Sequence, residues 1–221
     1  MKVIGINASP RGVASNTGKL VEAVLEGARE AGAEVEFVDL CALQIDYCDA
    51  CGACYATGEC PHIDDMADML DRLAGADGIV LGSPNYINSV TAQMKTFFDR
   101  LADGIHCQLL TGKYGCSVCT AGGSRAEEVT TYMNETLFLM GATIVGGLGE
   151  LMLGQPDVPD DTVAEARKLG GILTGAIRTN RKDTEQETAR EAMREHFRQL
   201  VTSRKDEWAH DYEHWSGMGW L

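Results

Sequence analysis

The chain has 221 residues, enough for one α/β domain with a modest extension and too few for a multidomain enzyme. Apolar residues make up 44% and charged residues 24%, a globular balance that removes disorder as the default. With 33 acidic against 19 basic side chains the net charge is −14, which repels nucleic-acid phosphates and anionic lipid headgroups, so no nucleic-acid or membrane partner is expected.

The acid excess lies in residues 1–180, while residues 181–221 are nearly balanced. No apolar run reaches the roughly 20 residues of a membrane helix, and Met1–Asn7 is too short for a secretory core, so a cytoplasmic protein is expected. In a reducing compartment the eight cysteines are not a disulfide framework, and their clustering asks for a metal or redox explanation.

In chain order, Val- and Ile-rich runs predict strands at Lys2–Asn7, Glu34–Leu40, Gly78–Gly82, Tyr114–Cys119 and Thr143–Leu148. Helical periodicity predicts helices near 17–31, 64–74, 91–102, 125–140 and 160–178. This alternation implies a doubly wound, five-stranded parallel sheet of order 2-1-3-4-5. Such sheets bind ligands beyond the carboxyl ends of their strands, so the chemistry is expected after strands 1, 3 and 4.

The first of these loops, Ala8–Thr17, leads into a helix. Its Ser9, Ser15, Asn16 and Thr17 donors, with helix-start N–H groups and Arg11, suit a terminal phosphate. Gly12 to Lys19 is not a Walker A loop, because five residues separate Gly12 from Gly18 and Leu20 follows the lysine. A dinucleotide GxGxxG is also missing, which favours a mononucleotide; a Ser-rich helix cap without a ligand is the plain alternative. The loop after strand 3 offers Pro84, Asn85, Tyr86 and Ile87. The loop after strand 4 offers Thr120, Gly122 and Gly123, whose backbone can approach a planar ring. Three such loops at one sheet edge fit flavin mononucleotide.

After strand 2 comes Cys48-x2-Cys51-x2-Cys54-x5-Cys60. Four thiolates in one short run can wrap a compact inorganic core, and the first three spacings match the ferredoxin run that holds a [4Fe–4S] cube. Zinc competes, since four thiolates suit a tetrahedral ion, but structural zinc usually joins two separated knuckles. Thiol–disulfide chemistry through one CxxC is a third option. His62 reads as a loop residue. Cys116 and Cys119 fall on opposite faces of strand 4 and read as buried thiols, as do Cys41 and Cys107.

Past residue 180, Asp183–Arg204 predicts an appended helix with Ala189, Met193, Phe197, Leu200 and Val201 on one face. Trp208, Tyr212 and Trp215 follow at helical spacing, so this tail must cover either its own domain or a partner subunit. His210 and His214 have ligand spacing but read as a solvated face.

With Ser9-Pro10-Arg11, Ser15-Asn16-Thr17, Ser83-Pro84-Asn85-Tyr86 and the cysteine run in place, residues 1 to about 178 resemble the iron-sulfur flavoproteins, within the flavodoxin-like, NADPH-dependent FMN reductases. The resemblance implies a homo-oligomer, dimer or tetramer, with FMN on the three loops and one [4Fe–4S] cluster on Cys48, Cys51, Cys54 and Cys60. It also implies a cluster near a subunit interface, facing a neighbour's flavin.

A cube moves single electrons and FMN one or two, so the expected activity is an electron-transfer oxidoreductase. It would take electrons from a ferredoxin-like donor and deliver them to dioxygen, peroxide or a small organic acceptor. No catalytic protein nucleophile or acid-base pair is required. One alternative is an NAD(P)H-dependent FMN or quinone reductase with a structural or auxiliary metal site, and another is a redox sensor.

Overall fold

A computed structural model describes residues 1–221. Strands β1 (Lys2–Asn7), β2 (Glu34–Asp39), β3 (Gly78–Pro84), β4 (Tyr114–Ala121) and β5 (Thr143–Leu151) form one parallel sheet in the order β2-β1-β3-β4-β5. The order reverses direction beside β1, where a crevice opens at the carboxyl ends of β1 and β3.

Alternate residues of each central strand feed two separate cores. Ile4, Ile6, Ile79 and Leu81 pack with Met66, Met69, Leu73, Val129 and Met133 of helices α3 (Met66–Gly75) and α6 (Ala126–Leu139). Val3, Val80 and Val118 pack on the opposite face with α1 (Asn16–Glu30) and α7 (Asp160–Thr179). Cys116 belongs to this second layer and Cys119 to the first, both fully buried, as strand alternation requires. Cys107 is buried too, but Cys41 is only half-buried, because the chain turns through a short 3-10 segment there instead of continuing the strand.

Helices α1 and α7 touch backbone to backbone. A Cβ on Gly27 would lie 1.9 Å from the Arg167 carbonyl oxygen, and one on Gly170 would lie 2.0 Å from that of Val24. Only glycine fits at either position.

The helix predicted over 91–102 is two helices, α4 (Ala92–Asp99) and α5 (Ala102–His106). The chain leaves α4 at Arg100, and Leu101 starts a new axis with non-helical backbone angles. Apolar spacing continues through the break, which hides it from periodicity.

The tail folds onto its own domain. Helix α8 (Thr184–Ser203) starts on an Asp183 cap, whose side chain accepts from Gln186 N. The Gln186 amide both accepts from Ile144 N and donates to Ile144 O of β5, at 2.8 and 2.9 Å. Phe197, Val201 and Trp215 of α8 and α9 (Ala209–Gly217) form a third small core against Ile105. Trp215 Nε1 donates to the His106 carbonyl. The histidines expected on a solvated face are not there: His210 packs on Gly58, and His214 is turned edge-on to Trp220 with its Nε2 buried. No helix is long and apolar enough to cross a membrane.

Candidate redox cofactor sites

A cleft of about 330 Å³ opens where β1, β3 and β4 end. Ser9, Arg11, Ser15, Asn16, Thr17, Pro84, Asn85, Tyr86, Thr120 and Gly122 line it, so the three loops do converge. Ile87 and Gly123, expected in the site, do not line it. Ile87 sits at the tip of a tight turn closed by Tyr86 and Ser89, where its left-handed φ of 50° turns the side chain to solvent. Four further residues, Ala121, Met152, Gln155 and Pro156, complete the wall. Three of them follow β5, a connection whose Gly and Pro look like ordinary turn chemistry in the sequence.

Internal hydrogen bonds shape the first loop. The buried Asn7 amide donates to Gly12 O at 3.1 Å, and its Oδ1 accepts from Ser9 N. Ser15 Oγ accepts from Gly18 N at 2.9 Å and caps α1, which leaves its own hydroxyl proton free to face the cleft. Thr17 and Thr120 hydroxyls meet at 2.6 Å and tie the first loop to the third. Asn16 donates to Pro156 O and ties in the β5 connection.

The donor set fits a phosphorylated flavin. Arg11 pairs with no carboxylate, and the first turn of α1 brings N–H groups that the helix itself cannot satisfy. Asn85 Nδ2 donates to Ser124 O at 2.8 Å, while its buried Oδ1 has no partner. An orphaned acceptor in a cleft wall is matched by a ligand N–H, which a flavin ring carries.

The cysteine run projects as a loop whose neck is tied shut. Asp46 N donates to Asp64 Oδ2 at 2.9 Å, Gln44 N to Asp65 Oδ2 at 2.7 Å, and Asp65 N returns to Gln44 O. Arg100, freed by the break between α4 and α5, fills the neck from below. It donates to Asp46 O at 2.8 Å, to both Asp64 oxygens, and to Cys60 Sγ at 3.3 Å. Its side chain is 2% exposed and that of Asp64 1%. Burial works against the Asp64 carboxylate, but hydrogen bonds from Arg100 and from the Asp46 and Met66 backbone outweigh it and hold the carboxyl down at about 2.

Within the loop, Ala50, Gly52 and Gly58 take left-handed φ values of 58°, 73° and 77°, reversing the chain around the short helix α2 (Ala53–Thr57). Cys48, Cys51 and Cys60 are exposed and Cys54 is half-buried. Burial, and then the Asp103 charge, push the Cys54 thiol up to about 11, a penalty that a bound cationic core would reverse. Four thiols on one loop, with a cationic donor already on one of them, fit an iron-sulfur cluster. His62 flanks the loop against Asp46 and Asp49.

The tail packs against one side of this loop, at Tyr55 and Gly58, and none of its residues lines the cleft. Tyr55 of α2 stacks on His106 with ring centroids 4.6 Å apart and meets Trp208 at 4.8 Å. The His210 ring lies against Gly58, where a Cβ would approach it to 2.6 Å.

A parallel sheet of this order, with a phosphate-type loop opening α1 and planar-ligand loops beside it, defines the class of flavodoxin-like redox proteins. Among solved structures, the chain superposes on a flavone reductase with a TM-score of 0.67 at 22% identity, over 80% of this chain and 63% of that one. It superposes on the NAD(P)H:quinone oxidoreductase from Methanothermobacter marburgensis with a TM-score of 0.63 at 20% identity, over 77% and 94%. The NADPH-dependent FMN reductase family matches residues 1–155. An iron-sulfur flavoprotein of Archaeoglobus fulgidus is 35% identical over 226 aligned positions, covering 100% of both chains. The chain is therefore an iron-sulfur flavoprotein of the NADPH-dependent FMN reductase family, an FMN-dependent oxidoreductase with an iron-sulfur cluster.

Proposed function

We propose that this oxidoreductase couples a ferredoxin-like, one-electron donor to a small acceptor such as dioxygen, peroxide or a small organic molecule. FMN would sit in the cleft and a [4Fe–4S] cluster on Cys48, Cys51, Cys54 and Cys60. Bound together, these groups supply single-electron transfer and one- or two-electron exchange in one chain. The observation that carries the reading is the cysteine loop itself, closed at its neck by a buried arginine that already donates to one of the four sulfurs.

The protein's own part is positioning and tuning. Ser9, Ser15, Asn16, Thr17 and Arg11 would hold the phosphate, while Asn85 Oδ1 and the Thr120–Gly122 backbone would orient the ring. Tyr86, 47% exposed, would flank the ring at the open mouth. Arg100 would stabilise the more negative, reduced state of the cluster by its charge-assisted bond to Cys60. Exposed Leu153 and Ile87 near the cleft, and Tyr47 and Ile63 beside the cysteine loop, give apolar surface for the homodimer or homotetramer that the family resemblance implies.

The open mouth favours one second reading, an NAD(P)H-dependent FMN or quinone reductase, because no tail residue blocks a nicotinamide from the ring. The two readings separate on anaerobically purified protein studied by visible and electron paramagnetic resonance spectroscopy with iron and sulfide analysis. Reduction by a ferredoxin-type donor but not by NADPH is expected. Rapid flavin bleaching by NADPH alone favours the second reading, and flavin bands without iron remove the first.

A further inference from the structure

Behind the cysteine loop, between α5 and α9, lies a cluster of metal-ligating side chains that neither cofactor uses. Asp103, Cys107, His210 and Asp211 each present one ligand atom, all within 4.8 Å of one another. Cys107 Sγ lies 3.9 Å from Asp103 Oδ1 and 3.9 Å from Asp211 Oδ1, and His210 Nε2 lies 3.6 Å from Asp103 Oδ1. A tetrahedral ion with bonds of about 2.0–2.3 Å needs ligand separations of about 3.3–3.8 Å, so only small closing movements are required.

The surroundings resemble those of a built site. Asp211 is fully buried, and its second oxygen, Oδ2, is held at 2.8 Å by His106 Nδ1, which leaves Oδ1 facing Cys107. Such an outer imidazole–carboxylate contact orients a metal ligand. Trp215 fixes the His106 backbone in turn. Two carboxylates, Asp103 and Asp211, and the Cys107 thiol crowd this space. A cation would relieve that crowding.

We propose that Asp103, Cys107, His210 and Asp211 form a second, mononuclear metal site for a zinc-class divalent cation, separate from the cysteine loop. A thiolate and an imidazole disfavour Mg²⁺ and Ca²⁺, which prefer all-oxygen shells. On binding, the Cys107 S–H bond breaks, its proton passes to solvent, and the thiolate left behind bonds to the ion. Two ligands come from the edge of α5 and two from α9, so the ion fastens the tail to the domain where Tyr55 and Trp208 back the cysteine loop.

The test uses the anaerobic holoenzyme exposed to Zn²⁺ and then dialysed, with zinc, iron and FMN measured per chain. About one zinc per chain is expected, unchanged in the cube-deficient Cys51→Ser protein and lost from both Cys107→Ser and His210→Gln, with FMN content retained. No retained zinc, zinc kept by either of the last two variants, or zinc lost with Cys51→Ser overturns the proposal. If those variants do not fold, X-ray absorption at the zinc edge of the wild-type holoenzyme decides. One sulfur and three nitrogen or oxygen neighbours are expected, whereas four sulfurs would put the ion on the cysteine loop and end the idea.

Discussion

The cleft and the cysteine loop sit at the same end of the sheet but are built on opposite plans. The cleft grows from strand ends whose neighbours are fully buried, and short bonds such as Thr17 to Thr120 join its loops to one another. The cysteine loop carries mostly exposed thiols and owes its shape to a neck, one buried ion pair and a tail that arrives from the far end of the chain. A ligand site made of strand ends inherits the rigidity of the core, whereas a loop site needs dedicated supports. The supports should therefore fail separately.

The sharpest separation is expected from Cys51→Ser, which should abolish the cube while FMN stays bound; equal loss of iron and flavin on elemental and absorbance analysis would break the distinction. Next is Arg100→Met. Leaving Asp64 buried without its partner should cost about 3–5 kcal/mol, read as a lower urea midpoint, with iron content falling more than FMN content.

The same pair gives a pH signature. The folded Asp64 carboxyl, at about 2, lies below its ordinary 3.8, so its contribution is present above about pH 4 and is lost as pH falls towards 2. Its size is about 2.5 kcal/mol, because each tenfold change in proton affinity is worth roughly 1.4 kcal/mol. Urea titrations of the cluster-free Cys51→Ser chain between pH 6 and pH 3 should show roughly half of this loss, and the added Arg100→Met change should flatten it.

On the cleft side, Arg11→Gln should weaken FMN by about 1.5–3 kcal/mol, roughly tenfold to a hundredfold in Kd, and leave riboflavin affinity unchanged. Equal losses for both ligands would move Arg11 away from the phosphate. The smallest effect is expected from Asn85→Ala, about 1 kcal/mol in FMN affinity by fluorescence titration, with the cluster spectrum unaltered.

The sheet was legible because its central strands are buried on both faces and spell continuous Val- and Ile-rich runs, as in Val3–Ile6 and Ile79–Leu81. The ends of β4 and β5 were less so, since Ala121, Gly149 and Glu150 carry no strand signal and are held by register with their neighbours. The loops of the cleft showed their side-chain donors, but Met152, Gln155 and Pro156 enter it by position alone. The greatest loss was at long range. Nothing in the spacing of His210 and His214 points to Asp103 and Gly58, because those contacts exist only after α9 has docked. In the same way Arg100 reads as the last turn of a helix until the break in that helix swings it into the neck.

The side-chain amide of Gln186 has a consequence for assembly. By occupying both main-chain hydrogen-bonding groups of Ile144, with Arg190 on the Ala142 carbonyl beside it, α8 occupies the start of the β5 margin. A second molecule cannot enlarge the sheet by laying a strand along that stretch. A copy that approaches this stretch meets the face of α8 instead of open main chain, and edge-to-edge pairing is left to the β2 margin or the later part of β5.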